Sequence, residues 1–163
     1  MERLYYLSHR LYLSDIPVLP RLIMLLIRTI YGSFIPYQTR IGDSVHFGHK
    51  MGIVIVPCAQ IGRRVKIRHH VTIGSGCAII GDDVKFGAGA KVIGSVKIGN
   101  GAVIGANAVV TQDMIIPENS LVLGIPGKII KQDKNFIKKN IKNSDVYKNL
   151  SEKHKKGNYV IYK

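Results

Sequence analysis

From Ile41 onward an aliphatic or aromatic residue recurs at every sixth position, often with glycine behind it. The series opens with Ile41-Gly42 and Phe47-Gly48, passes an insertion, and continues through Ile55, Ile61-Gly62, Ile67 and Ile73-Gly74. One further extra residue shifts the phase before Ile80-Gly81, Phe86-Gly87, Val92, Ile98-Gly99, Ile104-Gly105 and Val110. The fifth residue of each hexad is also apolar or small: Val45, Val65, Val71, Cys77, Val84, Ala90, Val96, Ala102 and Ala108. A period of six is neither helical nor a simple strand alternation. It predicts a solenoid in which three short strands and three tight corners make each coil of about eighteen residues. The first residue of each hexad points inward and glycine serves the corners. Roughly twelve hexads between Ile41 and Thr111 give about four coils.

Before the repeat, Leu4, Leu7 and Leu11 fall at helical spacing with Arg3 and Arg10 on another face, and Pro17 and Pro20 break the pattern. Arg21 to Tyr31 forms a second apolar helix with Arg21 and Arg28 aligned. The chain thus divides into a helical cap at 1–34, a solenoid at 35–130 and a Lys-rich tail at 131–163. The cap is expected to close the open end of the solenoid and pack on neighbouring subunits. A helix lying on a membrane surface is the alternative, because apolar and arginine faces coexist.

Composition sharpens this picture. Hydrophobic residues make up 46% of the chain with no Trp and 17 Gly, so the apolar mass is Ile, Val and Ala, which suits thin stacked strands. The net charge of +14 points to anionic partners. From Lys128 onward 11 Lys face Asp133, Asp145 and Glu152, which puts +8 of that charge in the tail. No recognition motif accompanies those lysines, so nucleic acid is not expected. Two cysteines make a poor disulfide framework for this length; Cys77 reads as a core residue and Cys58 as a corner residue. No signal-peptide pattern is present, and the apolar run Leu22 to Ile27 is too short to span a bilayer. A cytoplasmic location follows as an expectation, with the inner face of the membrane as its extension.

Solenoid geometry allows corners to be compared. His49 is third in the hexad of Phe47, and one turn onward His69 is third in the hexad of Ile67; the next two turns place Ala88 and Ala106 there. Third positions lie outside the core, so these histidines are not core filler. Small alanines let a long flat ligand approach the backbone, while an imidazole at one end supplies a general base. A hydroxyl is a weak nucleophile, and removing its proton as it attacks a thioester is work a histidine performs. Backbone N–H groups near Gly74, Ser75 and Gly76 are candidate donors for the resulting oxyanion.

Across Ile35 to about Ile130 the sequence resembles the left-handed β-helix acyltransferases. It is most similar to serine acetyltransferases and the capsule or exopolysaccharide acetyltransferases related to them. The likeness rests on His49 with Gly52-Ile53-Val54-Ile55, His70-Val71-Thr72-Ile73-Gly74, Gly87-Ala88-Gly89-Ala90-Lys91 and the closing Leu123-Gly124-Ile125-Pro126-Gly127-Lys128. The resemblance implies a catalytic His49 and acetyl-CoA as co-substrate along the Ala88 and Ala106 corner. It also implies contacts from the Pro126–Lys131 region, Lys128 and Lys131 included, and a homotrimer with sites between subunits. His69 and His70 are further catalytic candidates, or else line the trimer interface; His9, His46 and His154 match nothing. Zinc carbonic anhydrases of the same solenoid type offer a rival use for His46, His49, His69 and His70. Their second-shell pattern is not visible, so no metal is expected.

The serine enzymes carry an Asp where this chain has Gly48, and their His-pairing Asp falls at Phe34. Their long loop with a second His is reduced to Ser75-Gly76-Cys77, and their large N-terminal helical domain has no counterpart. Tyr37, Gln38 or a backbone carbonyl would then have to orient His49, and Asp43 or Asp15 would have to replace the missing acids. With those positions uncharged, the expected acceptor is a sugar hydroxyl in a surface polysaccharide pathway, with serine as the alternative. A non-catalytic scaffold and a polyanion-binding module are the remaining classes.

Overall fold

The computed structural model describes residues 1–133; the lysines from Lys134 onward and His154 lie outside the described residues. The hexads fold into two- to five-residue strands that wind into a β-solenoid of about five coils, each strand pairing in parallel with the strand one coil away. Three faces result. The first stacks β1 (Arg40–Ile41), β4 (Gln60–Ile61), β7 (Ile79–Ile80), β10 (Lys97–Ile98) and β13 (Ile115–Ile116). The second stacks β2 (His46–Phe47), β5 (Lys66–Ile67), β8 (Lys85–Phe86), β11 (Val103–Ile104) and β14 (Ser120–Leu123), closed by an antiparallel β15 (Lys128–Gln132). The third stacks β3 (Val54–Ile55), β6 (Thr72–Gly74), β9 (Lys91–Ile93) and β12 (Val109–Val110), and Phe34 bridges in parallel to Val54 at its lower edge.

Inward positions form columns. Phe47, Ile67, Phe86, Ile104 and Val122 stack along the second face and are essentially inaccessible. The solenoid therefore runs beyond the four coils that the hexads predict. The pattern fades after Val110 because Met114 and Ser120 occupy fifth positions that earlier coils fill with Val or Ala, yet Ile116 and Val122 remain in the core. One position within the repeat is also corrected. Ala78, not Cys77, enters the core, and Cys77 is exposed at the corner after β6, where it is disulfide-bonded to Cys58 of the coil below. The extra residue in Gly74–Ala78 widens that corner and pushes Cys77 outward. The two Cα atoms are 5.1 Å apart, within the range a disulfide needs.

The corner between the first and second faces is filled by polar ladders. Arg63 donates to Asp82 from its backbone N–H (2.8 Å) and from Nε (3.1 Å), and Arg64 forms a two-point pair with Asp83 at 2.8 and 2.7 Å. Asn100 accepts from the Asp82 N–H and donates to Glu118, which carries the ladder through two further coils. Glycine is needed here for proximity: a Cβ on Gly42 would meet the Gly62 carbonyl carbon at 2.8 Å.

The cap consists of α1 (Glu2–Leu13) and α2 (Leu19–Tyr31), the latter ended by Gly32 in the left-handed region. α1 lies on the first coil through polar ties. The buried Tyr5 hydroxyl donates to the Thr39 carbonyl, Tyr6 to Gly42 O at 2.6 Å, and His9 Nδ1 sits 2.6 Å from Tyr37 O with its ring stacked on Tyr5. Burial drives the Tyr5 hydroxyl well above the usual tyrosine range, so it stays a donor.

Since Phe86 is the widest side chain in the middle of its column, Phe86→Ala should cost about 3–5 kcal/mol. Urea unfolding followed by circular dichroism measures this, with the midpoint falling and the slope unchanged.

Candidate active site

The corner between the second and third faces differs from the other two. The strand registers align Phe47, Ile67, Phe86, Ile104 and Val122. Two residues on from each, the column reads His49, His69, Ala88, Ala106 and Gly124. Three small residues succeed two imidazoles, and neither a disulfide nor an ion pair crosses this column among the described residues. The 20-residue first coil, from Ile41 to Ile61, places its extra residues here, in Lys50 to Gly52.

His49 and Lys50 adopt left-handed backbone geometry, φ 60° and 55°, which turns the exposed His49 ring outward at the corner. Its ring centroid lies 5.1 Å from that of His69 in an edge-to-face arrangement, and His69 meets His70 in the same way at 5.5 Å. The Nδ1 of His69 is buried without a hydrogen-bond partner. His70 lies against Gly52, where a Cβ would strike its ring, so Gly52 is the residue that admits it. The structure thus brings the three histidines together in one cluster. Among the described residues no group of three or more His, Cys, Asp and Glu is arranged to hold a metal.

A shallow cleft of about 330 Å³ opens beside His49, lined also by His46, Gly48, Lys66, Ile67 and Arg68. Its wall is cationic. Lys66 and Lys85 are register neighbours on the outer face, and the Lys85 ammonium is held below its usual range by burial and then by Lys66, with Asp83 opposing. Like charges placed side by side on one face repel unless an anion lies between them.

Glu2 of α1 reaches the same strand from the cap, and nothing in the sequence pattern singles it out. It accepts from the Phe47 N–H at 3.2 Å, pairs with Lys50 Nζ at 3.2 Å, and lies 3.8 Å from His46 Nδ1. Burial acts to raise its carboxyl, but bonds from its own N–H, the Phe47 N–H and Lys50 outweigh this and leave it below the ordinary range. A carboxylate therefore stands at the Phe47 backbone, on the strand leading to His49, and is paired with Lys50. The acids named as substitutes lie elsewhere: Asp43 lines another cleft with Arg3 and Arg10, and Asp15 is in the turn between the helices. Tyr37 is engaged with the cap through its carbonyl and its ring contact with Tyr12, and no hydrogen bond joins Gln38 to His49 among the described residues.

The remaining candidates fall in two places. Ala88 and Ala106 occupy the small-residue part of the column, and Lys128 pairs with Leu123 just above it. Lys131 lies further along β15, opposite Leu121 and 3.8 Å from Asp133. Gly74, Ser75 and Gly76 sit at the far end of β6, at the disulfide-bearing corner. Five residues at roughly 3.3 Å each separate Gly74 from His69, so one chain does not bring these amides to the His column.

Known proteins share this architecture. The family of bacterial transferase hexapeptides (six repeats) matches residues 77–112. A serine acetyltransferase of Bacillus pumilus is 33% identical over 156 residues, covering 91% of this chain and 71% of the relative. A serine acetyltransferase of Synechococcus elongatus is 38% identical over 130 residues, and there the chain spans about half of the relative's length, 52%. A crystal structure of serine acetyltransferase from Brucella abortus in complex with coenzyme A superposes with a TM-score of 0.72 at 28% identity, covering 80% of this chain and 54% of that one. The fold and the His corner define a hexapeptide-repeat transferase. Within that class the chain belongs to the serine acetyltransferase family.

Because the Glu2 carboxyl is held below its free value of 4.5, its contribution to stability is present above that pH and lost as pH falls through the folded value. Glu2→Gln should therefore be about 1 kcal/mol less stable than wild type near neutral pH. The gap should close in acid, as urea midpoints at the two pH values will show.

Proposed function

We propose that this chain is an acetyl-CoA-dependent O-acetyltransferase with His49 as general base and serine as the acceptor. The observation that carries this reading is the corner column, where an outward imidazole stands at one end of a strip of small residues. In the step proposed, the acceptor hydroxyl gives its proton to His49 as its oxygen bonds to the thioester carbonyl carbon. The tetrahedral intermediate collapses, the carbon–sulfur bond breaks, and the departing thiolate takes the proton back from His49. The products are an acetyl ester and free coenzyme A. The strip at Ala88, Ala106 and Gly124 leaves room for the long co-substrate, with Lys128 beside it and Lys131 further along β15. A role for Gly74 to Gly76 as oxyanion donors requires the neighbouring subunit of a trimer, since within one chain they face another corner.

Two supports favour serine over the sugar acceptor expected from charge alone. The relatives from Bacillus pumilus and Synechococcus elongatus both carry the name serine acetyltransferase. The premise of the sugar reading, a site without acid, also weakens once Glu2 is placed on the strand before His49. Lys66 and Arg68 line the cleft beside His49 as cations for a serine carboxylate, and Glu2 brings an acid to the edge of the strand before His49. The sugar reading keeps one specific observation: Phe34 is the residue that bridges to Val54, where the serine enzymes carry the acid that pairs with their histidine.

His49→Ala should lower turnover by about 10²–10⁴. The fold should be unchanged, because the ring is exposed and its loss opens no core cavity; thiol release from acetyl-CoA measures the rate. The acceptor is tested by competition, with serine and a panel of sugars and nucleotide sugars sharing limiting acetyl-CoA. O-acetylserine should dominate. A sugar ester with no O-acetylserine overturns the serine assignment and leaves that of His49 standing.

A further inference from the structure

The cap has a second surface that the site does not use. In α2, Pro20, Ile23 and Ile27 face inward and are buried. At about 100° per residue, Leu22, Leu26, Leu19 and Ile30 fall on an arc that adjoins the buried one, Leu25 extends it toward the arginines, and all of them are exposed. Leu13 at the end of α1 and Val18 just before α2 are also apolar and exposed, at 68% and 67%. Val18 holds φ 69° there, a conformation that a β-branched residue avoids. Arg21 and Arg28 sit on one edge of the stripe, and α2 contains no acidic residue. A contiguous exposed apolar surface of this kind marks an interaction site.

We propose that this stripe docks α2 flat on a bilayer surface carrying anionic lipids. The helix pattern is that of an interfacial element, with leucines and isoleucine on one arc, arginines at its border and no acid to repel a phosphate headgroup. Charge complementarity extends to the whole chain, at +14. Its 13 residues span about 20 Å, too short for a 30 Å hydrocarbon core, and no described helix is long and apolar enough to cross a membrane, so the helix lies on the surface. Pairing of two copies across a two-fold axis fits less well. In the antiparallel arrangement it sets the arginine edges against each other with no acid on either helix.

The test uses the full chain and sedimentation with vesicles of pure phosphatidylcholine or of phosphatidylcholine with phosphatidylglycerol. Wild type should partition onto the anionic vesicles, with binding weakened by salt. Leu22→Ser with Leu26→Ser should reduce partitioning at least about ten-fold, and Arg21→Ser about five-fold. Circular dichroism should be unchanged, since all three side chains are exposed. Absence of binding by wild type overturns the proposal, as does equal binding by the double variant, which would assign the attraction to the lysine tail. A double variant that changes the oligomeric mass while still binding vesicles assigns the stripe to a second copy and overturns it too.

Discussion

Coil-on-coil stacking at about 4.8 Å is the constraint from which the rest of this molecule follows. Backbone N–H groups of one coil donate to carbonyls of the next, as in Gly48 N–H to Ile67 O at 2.8 Å and Gly87 N–H to Ile104 O at 2.7 Å. A side chain at a given hexad position therefore has its nearest non-local neighbours at the same position one coil away. Chemistry in such a fold is organised in columns. An inward column is apolar almost throughout, Ser120 being the exception, and an outward column is held by whatever its members offer each other.

The three corners use this freedom in different ways. One is tied by Arg63–Asp82 and Arg64–Asp83 and continued by Asn100 and Glu118. Another is tied covalently between Cys58 and Cys77. The third carries two imidazoles and then only small residues. Ties on two corners hold adjacent coils in place, so the third is free to present groups outward instead of to each other. The family's coenzyme-bound relative has the same fold, and the corner proposed for the co-substrate is the one without ties.

The hexad period in the sequence was enough to place the strands, the inward columns and the His49–His69–Ala88–Ala106 register, because each depends only on counting. Counting failed where a coil departs from eighteen residues. The extra residue near Gly74 moved Cys77 out of the core and Ala78 into it, and the separation of 19 between the bonded Cys58 and Cys77 is the length of that enlarged coil. The last coil escaped notice because Ser120 is buried in a fifth position where the pattern calls for an aliphatic residue. Glu2 was beyond reach for a different reason. Its partner Phe47 lies 45 residues away, and the contact exists only because Tyr5, Tyr6 and His9 fasten α1 across the first coil.

That fastening links the two ends of the functional argument. α1 is pinned by its buried hydroxyl and by Tyr6, so Glu2 is held on the strand that leads to His49 instead of at a free terminus. α2 packs on α1 through its Ile23 and Ile27 face, with Ser8 donating to the Pro20 carbonyl at 2.8 Å, which fixes the orientation of its outer stripe relative to the same corner. A cap that served only to close the solenoid would need one apolar face. In α2 the apolar arc runs on past the buried residues into an exposed stripe bordered by arginines. The geometry of the cap ties α1 to the strand before His49 on one side and leaves the α2 stripe open on the other.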